Sequence, residues 1–114
     1  MAYSESLARR IRQLFGHRRG ITEKKMFGGV CFLLDGNMCV GIWKSSLIVR
    51  LGPEQAAAAL AEPNVAEFDI TGRPMKGWIM VEPDGLETDE QLGHWVQRAV
   101  EFVGGLPKKR GRSA

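Results

Sequence analysis

The amino-acid sequence predicts a two-layer α+β domain, in which three helices cover one face of a largely antiparallel, five-stranded sheet. Two observations support this fold class. Apolar residues recur at helical spacing near both ends of the chain, and short apolar runs joined by hairpin-length links lie between them. The predicted order is α-β-β-β-α-β-β-α. We expect one domain over residues 1–107 and a basic, disordered tail over residues 108–114.

The first predicted helix begins at Ser4 or Ser6, since either side chain can cap its first turn. Its apolar residues fall on one face at helical spacing: Leu7, Ala8, Ile11, Leu14 and Phe15. Gly16 and Gly20 then bracket a basic segment, which suits the C-terminus of a helix.

Three strands are predicted next, over residues 26–34, 38–43 and 47–52. The sequence Asp-Gly-Asn between the first two is a strong hairpin signal. Both of these strands are apolar at consecutive positions, which indicates apolar groups on both faces of that hairpin.

The two cysteines flank this hairpin turn. If Asp35–Gly36 form the loop, Cys39 faces Phe32, and if the loop lies one residue later, Cys39 faces Leu34. In both registers Cys31 points to the other side of the sheet, and only a three-residue loop brings the thiols to a diagonal. We therefore expect reduced thiols and no disulfide.

The second half of the chain continues with a helix that starts at Pro53 and is stopped by Pro63. Two further strands are predicted, over residues 65–71 and 78–82. Polar and apolar residues alternate in the first of them, which indicates one solvated face.

The last predicted helix opens with a capping box formed by Thr88 and Gln91. Its apolar residues share one face: Leu92, Trp95, Val96, Ala99, Phe102 and Val103. Two successive glycines and Pro107 end it.

The loop Gly-Arg-Pro-Met-Lys-Gly, over residues 72–77, joins the last two strands. We interpret Gly72 and Gly77 as positions of positive φ that reverse the chain, because a phosphate-binding loop would be followed by a helix. The alternative interpretation is a binding surface, since Arg, Met and aromatic residues are enriched at interfaces. Its candidate residues are Arg73, Met75, Lys76 and Trp78, together with Trp43 on the sheet.

The segment Met-Phe-Gly-Gly poses a similar choice. Met26 and Phe27 are interpreted as core residues, with surface contact as the alternative. Gly28 and Gly29 within a strand indicate a bulge or a close approach of two backbones.

Several segments together resemble the TfoX N-terminal domain family of bacterial competence-regulator-like proteins. They are Lys-Met-Phe-Gly-Gly at 25–29, Leu-Ile-Val-Arg-Leu-Gly-Pro at 47–53, Gly-Arg-Pro-Met-Lys-Gly-Trp at 72–78, and Trp95 with Leu106 and Pro107. The resemblance covers roughly residues 3–108 and implies the two-layer fold shared with secretion chaperones. It also implies a role in transcriptional control of DNA uptake, in proteins that carry a second, C-terminal domain. The family has no accepted catalytic residues, and its signature implies structural roles for Met26, Phe27, Gly28, Gly29, Gly72 and Gly77.

Positive charge is concentrated at the two ends of the chain. Residues 1–25 carry seven Lys or Arg against two Glu, residues 108–112 add four, and the remainder has five basic against eleven acidic residues. This asymmetry points to a polyanion, so weak, salt-dependent nucleic-acid binding is the second hypothesis, against an ordinary solvated surface. The candidate contacts are Arg9, Arg10, Arg12, Arg18, Arg19, Lys24, Lys25, Lys108, Lys109, Arg110 and Arg112.

No set of residues in the sequence indicates a reaction. The two cysteines, His17 and His94 lack the spacing of a zinc site, and no nucleophile motif is present. We expect no enzyme activity, catalytic residue, metal or cofactor. The start of the chain lacks the apolar core of a signal peptide, and no apolar run approaches the roughly 20 residues of a membrane span, so we expect a cytoplasmic protein.

The leading hypothesis is therefore a small bacterial regulatory or protein–protein interaction module without chemistry of its own. Three helices can fully cover only one face of the predicted sheet. The other face, with Trp43, or with Trp78 and Met80, would then bind another protein or a second copy, as a homodimer.

Overall fold

A computed structural model describes residues 4–16, 18–26, 28–68 and 76–107. Within these residues the chain forms three α-helices, six strands and one short 3-10 helix at Pro83–Gly85. In chain order the elements are α1 (Glu5–Phe15), β1 (Ile21–Met26), β2 (Gly29–Leu34), β3 (Asn37–Trp43), β4 (Ser46–Arg50), α2 (Pro53–Ala59), β5 (Val65–Glu67), β6 (Trp78–Val81) and α3 (Asp89–Val103).

The six strands form one sheet in the order β1-β2-β3-β4-β6-β5. Every neighbouring pair is antiparallel, which confirms the mixed fold with an antiparallel sheet and three helices. The last described strand, β6, lies inside the sheet between β4 and β5, so that β5 forms one edge and β1 the other.

The prediction of five strands was wrong, because β1 was missed. The segment predicted as one strand over residues 26–34 is the end of β1, a turn and all of β2. Gly28 lies in that turn with φ 76°. The missed strand contains Glu23, Lys24 and Lys25, which are poor strand formers, and it is stable here as a charged edge strand of the kind that discourages pairing with another chain.

The hairpin between β2 and β3 has the two-residue loop Asp35–Gly36, with both residues at positive φ (52° and 85°). The first of the two predicted loop positions is therefore correct. The expected pairing of Cys39 with Phe32 is wrong, since a bulge at this point places Val40 opposite Phe32 and leaves Cys39 as the extra residue.

The predicted helix caps are present. Ser4 caps α1, and its Oγ accepts a hydrogen bond from the Leu7 N–H at 3.2 Å. Thr88 and Gln91 form the capping box at the start of α3, each accepting from the other's backbone N–H at 3.0 Å. Both caps satisfy backbone donors that a helix start leaves unpaired.

The core lies between the sheet and the helices. Alternate residues of the inner strands point toward α1, α2 and α3, as the two-residue period of a strand requires. The core residues at these alternate positions are Val30, Phe32, Leu34, Val40, Ile42, Leu47, Val49, Ile79 and Val81, and Cys39 at the bulge belongs to the same core. The helices contribute Leu7, Ala8, Ile11, Phe15, Ala56, Ala59, Leu92, Trp95, Val96, Ala99, Val100 and Val103.

Of the strand predicted over residues 65–71, the structure describes residues 65–68. Its described part, β5, ends at Glu67, and Phe68 follows it as a buried residue. Residues 69–71 and the tail over 108–114 lie outside the described residues. None of the described helices is long and apolar enough to cross a membrane.

Candidate interaction surface

The three described helices all pack on one side of the sheet, and the strand residues that alternate with the core residues form the other side, here called the open face. The members of the open face on the four inner strands are Cys31, Leu33, Met38, Gly41, Trp43, Ser46, Ile48, Arg50, Trp78 and Met80. One row of paired residues crosses the middle of this face: Lys24, Cys31, Gly41, Ile48, Met80 and Ala66.

The middle of the open face is closely packed. Cys31 and Ile48 are only 5% and 3% exposed. Gly41 lies between them, and a Cβ at this position would lie 3.3 Å from the Cys31 Sγ. The larger side chains around this centre, Trp43 and Met80 among them, stay half-buried.

Two tryptophans of the open face each carry a cation over the ring. The Arg50 Cζ lies 5.3 Å from the Trp78 ring centroid, and the Lys44 Nζ lies 4.6 Å from the Trp43 ring centroid. The Phe68 ring also contacts Trp78, with 6.2 Å between centroids. Cation–π contacts of this kind orient both partners while the charge stays near solvent.

Among the residues that the structure describes, no carboxylate forms an ion pair with the cations of this face. Arg50 Nη1 donates a long hydrogen bond of 3.4 Å to the Met38 carbonyl. The ion pairs within the described ranges lie elsewhere: Arg10–Asp89, Arg12–Glu23 and Arg98–Glu62. None of these three ion pairs between described residues includes Arg50, Lys24 or Lys44, so the structure leaves their charged groups available to solvent or a partner.

A cleft of about 320 Å³ opens between α2 and the start of β6. Lys76, from the predicted binding loop, is exposed and lines this cleft, as does Trp78. The other lining residues are Pro53, Ala56, Ala57, Leu60, Glu67 and Gly77. Two further members of the predicted binding surface, Arg73 and Met75, lie outside the described residues, so the structure places only Lys76, Trp78 and Trp43 of that set.

The glycines of the family signature have distinct backbone surroundings where they are described. Gly77 has φ 88°, and its carbonyl accepts hydrogen bonds from the N–H groups of Leu51 (2.8 Å) and Gly52 (3.1 Å). Gly29 lies against the Ile42 carbonyl so closely that a Cβ would collide with the oxygen. Gly72, Phe27 and the side chain of Met26 lie outside what the structure describes.

The predicted nucleic-acid contacts do not form one stripe. Arg10 and Arg12 are held by acids, with N–O distances of 3.1 Å to Asp89 and 2.6 Å to Glu23. The hydrogen bond from Arg12 holds the pKa of the Glu23 carboxyl below its usual value, against a smaller opposing effect of burial. The remaining described candidates are exposed: Arg9, Arg18, Arg19, Lys24 and Lys25. The candidates Lys108, Lys109, Arg110 and Arg112 lie outside the described residues.

Both cysteines are free thiols in apolar surroundings. Burial raises the pKa of Cys31 to about 11 and that of Cys39 to about 12. Both side chains therefore stay protonated at neutral pH, and a thiol is a far weaker nucleophile than a thiolate. Across the described residues, no three His, Cys, Asp or Glu side chains are grouped as metal ligands would be.

The sequence interpretation missed Arg50, Lys44 and Phe68 as members of this surface. A signal for Arg50 was present, because it is two residues from Ile48 and so shares its side of β4. Its contact with Trp78 requires β6 to lie beside β4, and no local pattern in the sequence specifies that order.

A family model, the TfoX N-terminal domain, matches residues 13–103. Comparison with curated proteins and with solved structures gives no match. The matched segment begins within α1 and ends with α3, so it includes all six strands of the sheet. The chain therefore belongs to the TfoX N-terminal domain family.

Proposed function

We propose that the chain is a non-enzymatic regulatory module that acts by binding an anionic macromolecule through its open face. Membership of the family supports an interaction or regulatory role. The observation that carries the choice of surface is the presence of two half-buried tryptophans with neighbouring cations, Arg50 and Lys44, that form no ion pair with any carboxylate of the described residues.

The charge of this face favours an anionic partner. Arg50 is half-buried, and covering it further would cost several kcal/mol unless its donors were paired. A guanidinium presents its donors in a fork that matches a carboxylate or a phosphate. A partner that carries such groups would satisfy Arg50, whereas an apolar partner would leave it unpaired.

The proposal that the module is not an enzyme is supported by the burial and protonation of its two thiols. Cys31 and Cys39 are buried and protonated at neutral pH, so neither is activated as a nucleophile. The described carboxylates that form ion pairs, such as Glu23 and Asp89, are engaged by arginines of α1.

The homodimer expected from the sequence stays a prediction, and the charges weigh against the open face as its interface. Two copies meeting through this face would bring Arg50 and Lys24 toward the same cations of the second copy. Like charges at an interface cost several kcal/mol. Light scattering over a concentration series, at low and high salt, tests this: a dimer that Arg50→Glu disrupts would overturn the choice of an anionic partner.

Heparin affinity chromatography tests the proposed surface with a generic polyanion. Arg50→Gln is expected to elute at lower salt than Arg9→Gln, although both variants lose one positive charge. Arg9 is exposed on α1, on the far side of the sheet, so it reports the competing surface of the N-terminal helix. Equal elution of the two variants, or a larger effect at Arg9, would refute the open face as the anion-binding surface.

A further inference from the structure

The geometry points to single-stranded nucleic acid as the anionic partner, with bases stacking on Trp43 and Trp78 and phosphates paired with Lys24, Lys44 and Arg50. This inference rests on the proposed function, since it assigns a ligand class to the same face. Proteins that bind single strands combine aromatic stacking platforms with cations that follow the backbone.

The two tryptophans are spaced to contact one strand. Trp43 pairs with Ser46 and Trp78 pairs with Arg50, so the rings are separated by four residues along β4 and by two strand spacings across the sheet. With rises of about 3.3 Å and spacings of about 4.8 Å, the separation is roughly 16 Å. About five stacked nucleotides, at roughly 3.4 Å each, span that distance.

The charges of the face are placed beside the rings. Lys44 and Arg50 lie over Trp43 and Trp78, and Lys24 is paired with Cys31 at the β1 edge of the same face. Glu82 is exposed and follows β6 directly, and it continues the alternation of Trp78 and Met80 on the open face. Lys44 and Arg50 thus lie near opposite ends of β4, each beside one ring, and Lys24 lies at the β1 edge, so that a backbone contacting both rings would pass close to Lys44 and Arg50.

The alternatives fit this surface less well. The bases of a duplex are stacked on one another, so they cannot stack on rings that lie on a broad sheet. An acidic peptide could pair with Arg50, but it offers an aromatic group only where its sequence has one, whereas every nucleotide carries a base next to a phosphate. A single strand supplies both contacts at every position.

Fluorescence anisotropy of a 5′-labelled twelve-nucleotide oligothymidylate tests the inference directly. We expect saturable binding at 50 mM salt that weakens by about 20-fold at 200 mM, because three phosphate contacts give a slope of roughly 0.7 each in the logarithm of salt concentration. In Arg50→Gln the same change of salt should weaken binding only about sevenfold, because one contact is lost. A duplex of the same length should bind at least tenfold more weakly than the single strand.

Trp95 and Arg98 supply a matched control, because they form a cation–π pair at 4.5 Å on the helix side of the molecule. Trp78→Leu should weaken oligonucleotide binding about tenfold, as removal of one stacked base predicts. Arg98→Gln should leave binding unchanged. In a Trp95→Phe background, where only Trp43 and Trp78 remain as tryptophans, the oligonucleotide should quench the intrinsic fluorescence.

The outcomes separate this inference from the proposed function. If heparin elution depends on Arg50 but the oligonucleotide does not bind at 50 mM salt, the ligand class is wrong and the anion-binding face stands. If the oligonucleotide binds without quenching, or if Arg98→Gln weakens binding as much as Arg50→Gln, stacking on the open face is refuted. Equal affinity for duplex and single strand would also overturn it.

Discussion

Gly52→Ala is a sharp test of the packing between the start of α2 and Phe102, because both the backbone conformation and the Phe102 ring disfavour an added methyl group at this position. It precedes α2 and has φ 89° and ψ 157°, a region that only glycine readily occupies. A Cβ built on this backbone would lie 2.6 Å from Cε1 of Phe102, and two other ring atoms would lie within 3.0 Å. Gly52→Ala must therefore strain the backbone and displace the ring.

The expected cost follows from these two effects. The backbone strain is worth about 1–3 kcal/mol. Displacing a side chain from a packed site adds about 1–3 kcal/mol, and the lower end applies because Phe102 is only half-buried and can move. We expect Gly52→Ala to lower the free energy of unfolding by about 3 kcal/mol, measured by urea denaturation followed by circular dichroism.

Two other glycines are matched controls. Gly77 has a similar φ of 88°, but a Cβ there would lie 3.5 Å from the Gly52 backbone, an ordinary contact, so Gly77→Ala should cost only about 1–2 kcal/mol. Gly93 lies inside α3 with 3.8 Å to the nearest Leu14 atom, so Gly93→Ala should stabilise the protein by about 0.5–1 kcal/mol.

A double-mutant cycle isolates the steric part of the Gly52 effect. In a Phe102→Ala background the ring is gone, so Gly52→Ala should cost about 1 kcal/mol less than it does in the wild type. If the cost is the same in both backgrounds, or if Gly77→Ala costs as much as Gly52→Ala, the predicted collision with Phe102 does not exist in solution.

Three further predictions concern local interactions. Thr88→Ala removes the cap of α3 and should lower the free energy of unfolding by about 1 kcal/mol in urea denaturation, whereas Thr88→Ser should be nearly neutral; equal losses would contradict the capping role. The folded-state pKa of Glu23 is lowered, so its contribution to stability is present above the pKa of an unfolded glutamate and is lost as pH falls through the folded-state pKa. In urea denaturation at several pH values, Glu23→Gln should therefore reduce the loss of stability between pH 5 and pH 3. An unchanged slope would contradict the pairing with Arg12. Both thiols should react slowly with Ellman's reagent at pH 8 in the native state and completely in denaturant, because burial raises the pKa values of Cys31 and Cys39; rapid native labelling would show that they are accessible.

The elements of this fold that sequence predicted well are those specified locally. Helices α1 and α3 begin directly after Ser4 and Thr88, because the hydroxyl side chains of these residues accept from unpaired N–H groups, and such signals span only three residues. The loop Asp35–Gly36 is equally local, since its positive φ values favour these residue types.

The features that sequence did not predict depend on pairing between distant segments. The edge strand β1 has the composition of a loop, and it is a strand because β2 supplies its hydrogen-bond partners. The bulge at Cys39 shifts the register of β3 relative to β2 by one residue. No local sequence pattern predicts this shift. The cation–π contact of Arg50 with Trp78 requires the order β4-β6-β5, in which β6 pairs with a strand that is not its neighbour in the chain.

The packing of the open face bears on how strongly it can bind. Cys31 and Ile48 at its centre are already shielded from water, so a partner would gain little from covering them. What remains at least partly exposed is the surrounding set of tryptophans and cations, Trp43, Trp78, Lys44 and Arg50. Obligate dimers instead bury large apolar areas that resemble a domain core. Binding through this face should therefore depend on stacking and charge, and should be reversible and sensitive to salt, as suits a regulatory contact more than a permanent subunit interface.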